Sequence, residues 1–177
     1  DGGRIADCDH SERIFIADMC ELESRQVLTS PDGEVRRCRF SPDGRHLGAT
    51  TDHSLQLWDT VSGGAPTILF KDKAQITGLD FSPDGRFVAA ATDAGICRIW
   101  DVRTGHLEQT FGDRHRLLGY RTQCRFSPTG EQVLTATSRG DVRIWDPATG
   151  DALWTWGGRR SHHRGCLPPR RTACGHL

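Results

Sequence analysis

Three aspartates, Asp59, Asp101 and Asp146, recur directly behind a tryptophan, and repeated carboxylates are the first residues to weigh for acid–base chemistry. Each of them opens an Asp-x-x-Ser/Thr-Gly stretch, a turn sequence, so the structural role is the better reading. Cys38 and Cys124 stand two residues before Phe40 and Phe126. In those equivalent places they read as small buried apolar residues rather than nucleophiles. Gly63-Gly64 runs into Ala65-Pro66, not into the Gly-Lys-Ser/Thr of a phosphate-binding loop. Neither a Gly-x-Ser-x-Gly elbow nor a His-Glu-x-x-His pair occurs. His162, His163, Cys166, Cys174 and His176 are metal-ligand types, but no Cys-x-x-Cys spacing supports a site. No catalytic residue, metal or cofactor is expected.

The elements around these residues explain the aspartates. Phe-Ser-Pro-Asp/Thr-Gly occurs at 40–44, 81–85 and 126–130, and each copy leads to a Trp-Asp pair: Trp58-Asp59, Trp100-Asp101 and Trp145-Asp146. The Phe residues are 41 and then 45 apart and the Trp residues 42 and then 45, a spacing that marks stacked supersecondary units. In the unit 76–111, "ITGLDF", "RFVAAAT", "ICRIWD" and "HLEQTF" are short β-prone runs separated by Ser-Pro-Asp-Gly, Asp-Ala-Gly and Asp-Val-Arg-Thr-Gly turns. Pro presets one turn dihedral and Gly tolerates the positive φ that follows. Phe87-Val88-Ala89-Ala90-Ala91 is apolar on both faces of its strand, as a sheet covered on both sides requires. Radial stacking of such sheets makes a β-propeller. The fold expected is all-β: an incomplete propeller of antiparallel four-stranded blades, about three complete and one partial.

Composition narrows the function classes. Of 177 residues 36% are hydrophobic, and no run is long enough to span a membrane, so no membrane partner is expected. Formal charge is zero, yet residues 1–158 hold 18 basic against 23 acidic side chains, while 159–177 hold five Arg and no acid. A negative body without aromatic-basic interleaving argues against a nucleic-acid-binding module, which stays the rival class. Seven cysteines without close-set pairs fit reduced thiols and an intracellular, cytoplasmic or nuclear, location.

With Phe-Ser-Pro-Asp/Thr-Gly and Trp-Asp in register three times, the chain resembles the WD40-repeat family over residues 1–158. The resemblance implies a partial blade at 1–29, blades at 30–70, 71–111 and 112–158, and a basic, disordered tail at 159–177. "DHSERIF" (9–15) aligns with "DHSLQLW" (52–58) and puts Phe15 where Trp58 sits. Ser30-Pro31-Asp32-Gly33 is then a shortened inter-blade loop. The family's buried hydrogen-bonded set is matched in part by Trp58, Thr50 and Asp52; its His is missing there. Family members dock partners on the rim where inter-blade loops meet the turns between second and third strands. By position these rim residues are Glu34, Gln75 and Tyr120, before the first strands, and Thr51, Asp93 and Ser138, before the turn aspartate position. Tyr120 is an interface anchor or a loop-packing ring, and the other five compete with ordinary solvated roles.

The function implied is a non-enzymatic protein–protein interaction scaffold within multi-protein complexes. Three and a part blades are too few to close a propeller, so the chain is expected to be a segment of a larger protein whose remaining blades complete the ring. The alternative is a truncated or alternatively spliced product without autonomous function. The aperiodic tail fits an out-of-frame end, a basic tail touching acidic partners, or a metal-binding stretch.

Overall fold

The computed structural model describes residues 3–19, 25–112 and 121–157. All regular elements in them are strands, in four sheets whose strand order follows the chain. The first sheet holds β1 (Arg4–Cys8), β2 (Arg13–Asp18) and β3 (Arg25–Thr29). The second holds β4 (Arg37–Phe40), β5 (His46–Thr50), β6 (Ser54–Asp59) and β7 (Thr67–Lys71). The third holds β8 (Ile76–Phe81), β9 (Phe87–Thr92), β10 (Ile96–Asp101) and β11 (Leu107–Gly112). The fourth holds β12 (Thr122–Phe126), β13 (Val133–Thr137), β14 (Val142–Trp145) and β15 (Ala152–Trp156). Every pairing is antiparallel, and the sheets do not close into a ring. The tail at 159–177 lies outside the described residues.

The repeated turn works through its side chains. Ser41 Oγ donates to Asp43 Oδ1 (2.5 Å) and accepts from the His46 amide (2.9 Å), while Asp43 Oδ1 accepts from the Arg45 amide (3.0 Å). Ser82, Asp84, Phe87 and Arg86 repeat these bonds at 2.5, 2.8 and 3.0 Å, in the same order. In the third copy Thr129 replaces Asp, and the corresponding Ser127–Thr129 contact lengthens to 3.3 Å. Gly85 has φ +73°, and a Cβ there would stand 3.7 Å from Pro42 of the preceding blade, so these turns also stack on one another.

Each seam between sheets receives one indole. Trp58 packs with Ile14, Ile16 and Leu28 of the first sheet; Trp100 meets Leu55 and Leu57 of the second; Trp145 meets Cys97, Ile99 and Phe111 of the third. The three indoles are 1, 2 and 7% exposed, which makes them the chief apolar filling between blades. Trp100 lies 5.3 Å from Phe70 and Trp145 5.1 Å from Phe111, centroid to centroid.

The first sheet departs from the sequence alignment. Backbone bonds Val35 N→Ser11 O and Ile76 N→Asp52 O are equivalent, as are Ser30 N→Glu12 O and Asp72 N→His53 O. They make Ser11 the equivalent of Asp52, and counting on, Ala17 rather than Phe15 holds the position of Trp58. Phe15 instead faces outward on β2, paired with Val27, because Ile14 and Ile16 alternate into the seam. Ser30-Pro31-Asp32-Gly33 lies between β3 and β4, as an inter-blade loop.

Two faces stay uncovered by any described residue. On the first sheet these are Ile5 and Val27, about half exposed, beside Phe15; on the fourth they are Leu134, Ile144, Trp154 and Trp156. In each complete sheet the third-to-fourth strand pairing slips by a bulge, at Leu55/Gln56, Ile99/Trp100 and Ile144/Trp145. The pairing of β2 with β3 runs unbroken.

Candidate functional site

Antiparallel order brings two kinds of loop to one end of every four-stranded sheet: the segment entering the first strand and the turn between the second and third. There the structure joins four of the residues singled out from sequence. Arg36 Nε and Nη2 grip Asp52 Oδ1 and Oδ2 (2.9 and 3.0 Å), and its Nη1 reaches Glu34 Oε1 (3.0 Å). Gln75 Nε2 donates to Asp52 Oδ1 (2.7 Å), and the Gln75 amide donates to Asp93 Oδ1 (3.1 Å). Glu34, Arg36, Asp52, Gln75 and Asp93 therefore form one hydrogen-bonded chain across the ends of the second and third sheets. His10 Nδ1, held at φ +59°, stands 3.7 Å from Glu34 and extends the line toward the first sheet.

The fork of Arg36 and the Gln75 amide group hold the Asp52 carboxyl below the ordinary aspartate range, and Asp52 in turn raises Arg36. Asp52 and Arg36 thus keep their charges at neutral pH. Beside it lies an open depression with Thr51 and Ser54 at its floor and Asp32, His53, Lys71 and Asp72 around it.

The remaining sequence candidates fall elsewhere. Thr51 is 3% exposed, its hydroxyl in a 2.8 Å hydrogen bond with Ser54 Oγ; it clasps its own turn instead of facing outward. Ser138 is exposed on the fourth sheet, its amide donating to the Arg121 carbonyl (2.9 Å), and no hydrogen bond among the described residues joins it to the chain of five. Tyr120 lies outside the described residues. The expected Trp58–Thr50 bond does not form. Thr50 pairs with Leu55, three residues from Trp58 and so on the opposite face, and its buried hydroxyl has no partner. The tryptophan that makes such a bond is Trp145, whose Nε1 donates to Thr135 Oγ1 (2.8 Å); Ala49 and Ala90 hold the matching places in the other sheets.

Asp59, Asp101 and Asp146 are turn caps. Asp59 Oδ1 accepts from the Val61 amide (2.8 Å), Asp101 Oδ1 from Thr104 (2.9 Å) and Asp146 Oδ1 from Ala148 (2.8 Å). Those backbone donors push the Asp59 and Asp101 carboxyls down, away from a proton-transfer role near neutrality. Cys38 and Cys124 pack into seams. Among the described residues no group of three or more His, Cys, Asp or Glu could hold a metal ion, and the His/Cys-bearing tail lies outside them.

Sequence reasoning missed Asp80. This buried carboxylate on β8 takes the Arg39 guanidinium from β4 and the Phe126 amide of β12 (2.8 Å), tying the first strands of three blades together. Its partners lie 41 and 46 residues away, beyond any local motif.

Antiparallel four-stranded sheets stacked face to face, with an indole in each seam and loops gathered at one end, define a β-propeller repeat protein. The family model for the WD domain, G-beta repeat (WD40), matches residues 22–59, 66–101 and 114–146, more than half of the chain. The chain belongs to the WD40-repeat family, whose repeats generally serve as protein-interaction scaffolds. β1 and β2 precede the first matched segment and repeat its architecture by structure alone. No curated protein matches the chain significantly. No helix among the described residues is long and apolar enough to cross a membrane.

Proposed function

We propose that this chain is a non-enzymatic protein-interaction scaffold that docks partner proteins on the rim formed by Glu34, Asp52, Gln75 and Asp93, with Tyr120 and Ser138 extending it. The observation that carries this reading is the hydrogen-bonded chain across two blades, which fixes three carboxylates with one arginine among them. Preorganised side chains lose little freedom on binding, and their charge selects cationic or N–H-rich partner segments. Further blades covering the two apolar outer faces belong to the same proposal, as does an intracellular setting in multi-protein complexes.

The test is capture by immobilised protein of three kinds: unaltered, Glu34→Ala/Gln75→Ala/Asp93→Ala, and Glu108→Ala, the last an exposed position on β11. Partners held by the unaltered and Glu108→Ala forms and lost from the triple variant support the rim. Partners retained by the triple variant overturn it. Tyr120→Ala in the same assay reports whether the anchor belongs to the surface.

A further inference from the structure

Two thiol pairs bridge neighbouring blades. Cys8 at the end of β1 and Cys38 within β4 pack against one cluster on the seam between the first and second sheets, where Ser11, just beyond Cys8, takes the amide of Val35, just before β4 (2.8 Å). Cys97 of β10 and Cys124 of β12 likewise share one cluster on the seam between the third and fourth. The pairs differ in access. Cys97 and Cys124 are 1 and 0% exposed, and Cys124 Sγ donates to the Ala89 carbonyl (3.7 Å). Cys8 and Cys38 are only partly buried, so a small reagent can reach them.

We propose that Cys8 and Cys38 are a disulfide-forming site that links the first sheet covalently to the second in the presence of a low-molecular-weight disulfide. Its first step is attack of the Cys8 thiolate on the reagent, which forms a mixed disulfide at Cys8 and releases one reagent thiol. Cys38 then loses its proton to solvent and attacks the Cys8 sulfur. The second reagent thiol departs, and two protein thiols have been oxidised for one reagent disulfide reduced. The bond would fasten the end of β1 remote from Arg4. That residue already holds the strand through Thr60 Oγ1 (3.2 Å), the Gly44 carbonyl and the Phe40 ring.

Burial, with Cys8 beside it and the charge of Asp7 on the far face of β1, pushes the Cys38 thiol up to about 12. Arg37 and Arg39 alternate to the other face of β4. Below that value the Cys38 thiolate fraction, and with it ring closure, rises about tenfold per pH unit.

The experiment uses the full chain with Cys20, Cys166 and Cys174 changed to Ser, exposed to oxidised glutathione, acid-quenched and mapped without reduction by mass spectrometry. The Cys8–Cys38 peptide should form at least about tenfold faster than Cys97–Cys124, gain rate from pH 7 to 9, and lose that preference in urea. Cys38→Ser should stop at the Cys8–glutathione adduct. A Cys8–glutathione adduct that does not convert to the Cys8–Cys38 peptide even at pH 9, with Cys38 intact, overturns the proposal. So does a cross-link yield no higher in the folded than in the unfolded chain.

Discussion

Asp80 shows how a single carboxylate can govern more than its own strand. It is 8% exposed, and removing it strands a charge-bearing partner and a backbone donor in two different blades. Asp80→Ala should cost about 1–3 kcal/mol, the penalty of an orphaned buried donor, in a urea titration. Arg39→Ala should cost less, since Arg39 is 44% exposed and water can take its place. Equal losses for the two would mean that the Phe126 amide does not depend on Asp80.

Among the elements, the hairpins were legible in the sequence and the alignment of the first sheet was not. Ser-Pro-Asp-Gly acts within four residues, through Ser41 and Asp43 or Ser82 and Asp84, so composition alone locates the turn. The tryptophans were legible because bulk and spacing together imply a seam. Phe15 was misplaced because the shared Asp-His-Ser string outweighed the backbone bonds from Val35 and Ser30 that set the register. The side of the strand that Thr50 faces, and the turn bond that draws Thr51 inward, likewise follow from pairing rather than residue type. The joining of Glu34, Gln75 and Asp93 was legible as position, while Arg36, which links Glu34 to Asp52, carried no signal beyond its charge. At this scale Trp100→Ala should cost about 3–5 kcal/mol, because it empties a seam whose lining cannot collapse on it. Trp156→Ala, at a half-exposed position, should cost well under 1 kcal/mol. Urea midpoints of the two variants would separate a seam tryptophan from a surface one.

For the whole molecule, the uncovered faces set its behaviour in solution. Ile5, Phe15 and Val27 at one end and Leu134, Trp154 and Trp156 at the other are apolar groups of the kind that associate in water. The isolated chain should sediment as concentration-dependent oligomers, and Ile5→Lys with Trp156→Lys should shift it toward monomer. Unchanged sedimentation in that double variant would assign the association to another surface.

The bulges bear on a different hazard. Every fourth strand is an outer margin with backbone groups free to pair with a stranger. In three sheets the slip at Leu55/Gln56, Ile99/Trp100 or Ile144/Trp145 bends that margin out of the plane an incoming chain needs. β3 has no such kink: it runs straight through five pairs beside β2 and displays Val27. Amyloid-like growth, where it starts, should recruit its template there, and a lysine at Val27 is the gatekeeper the other three margins do without.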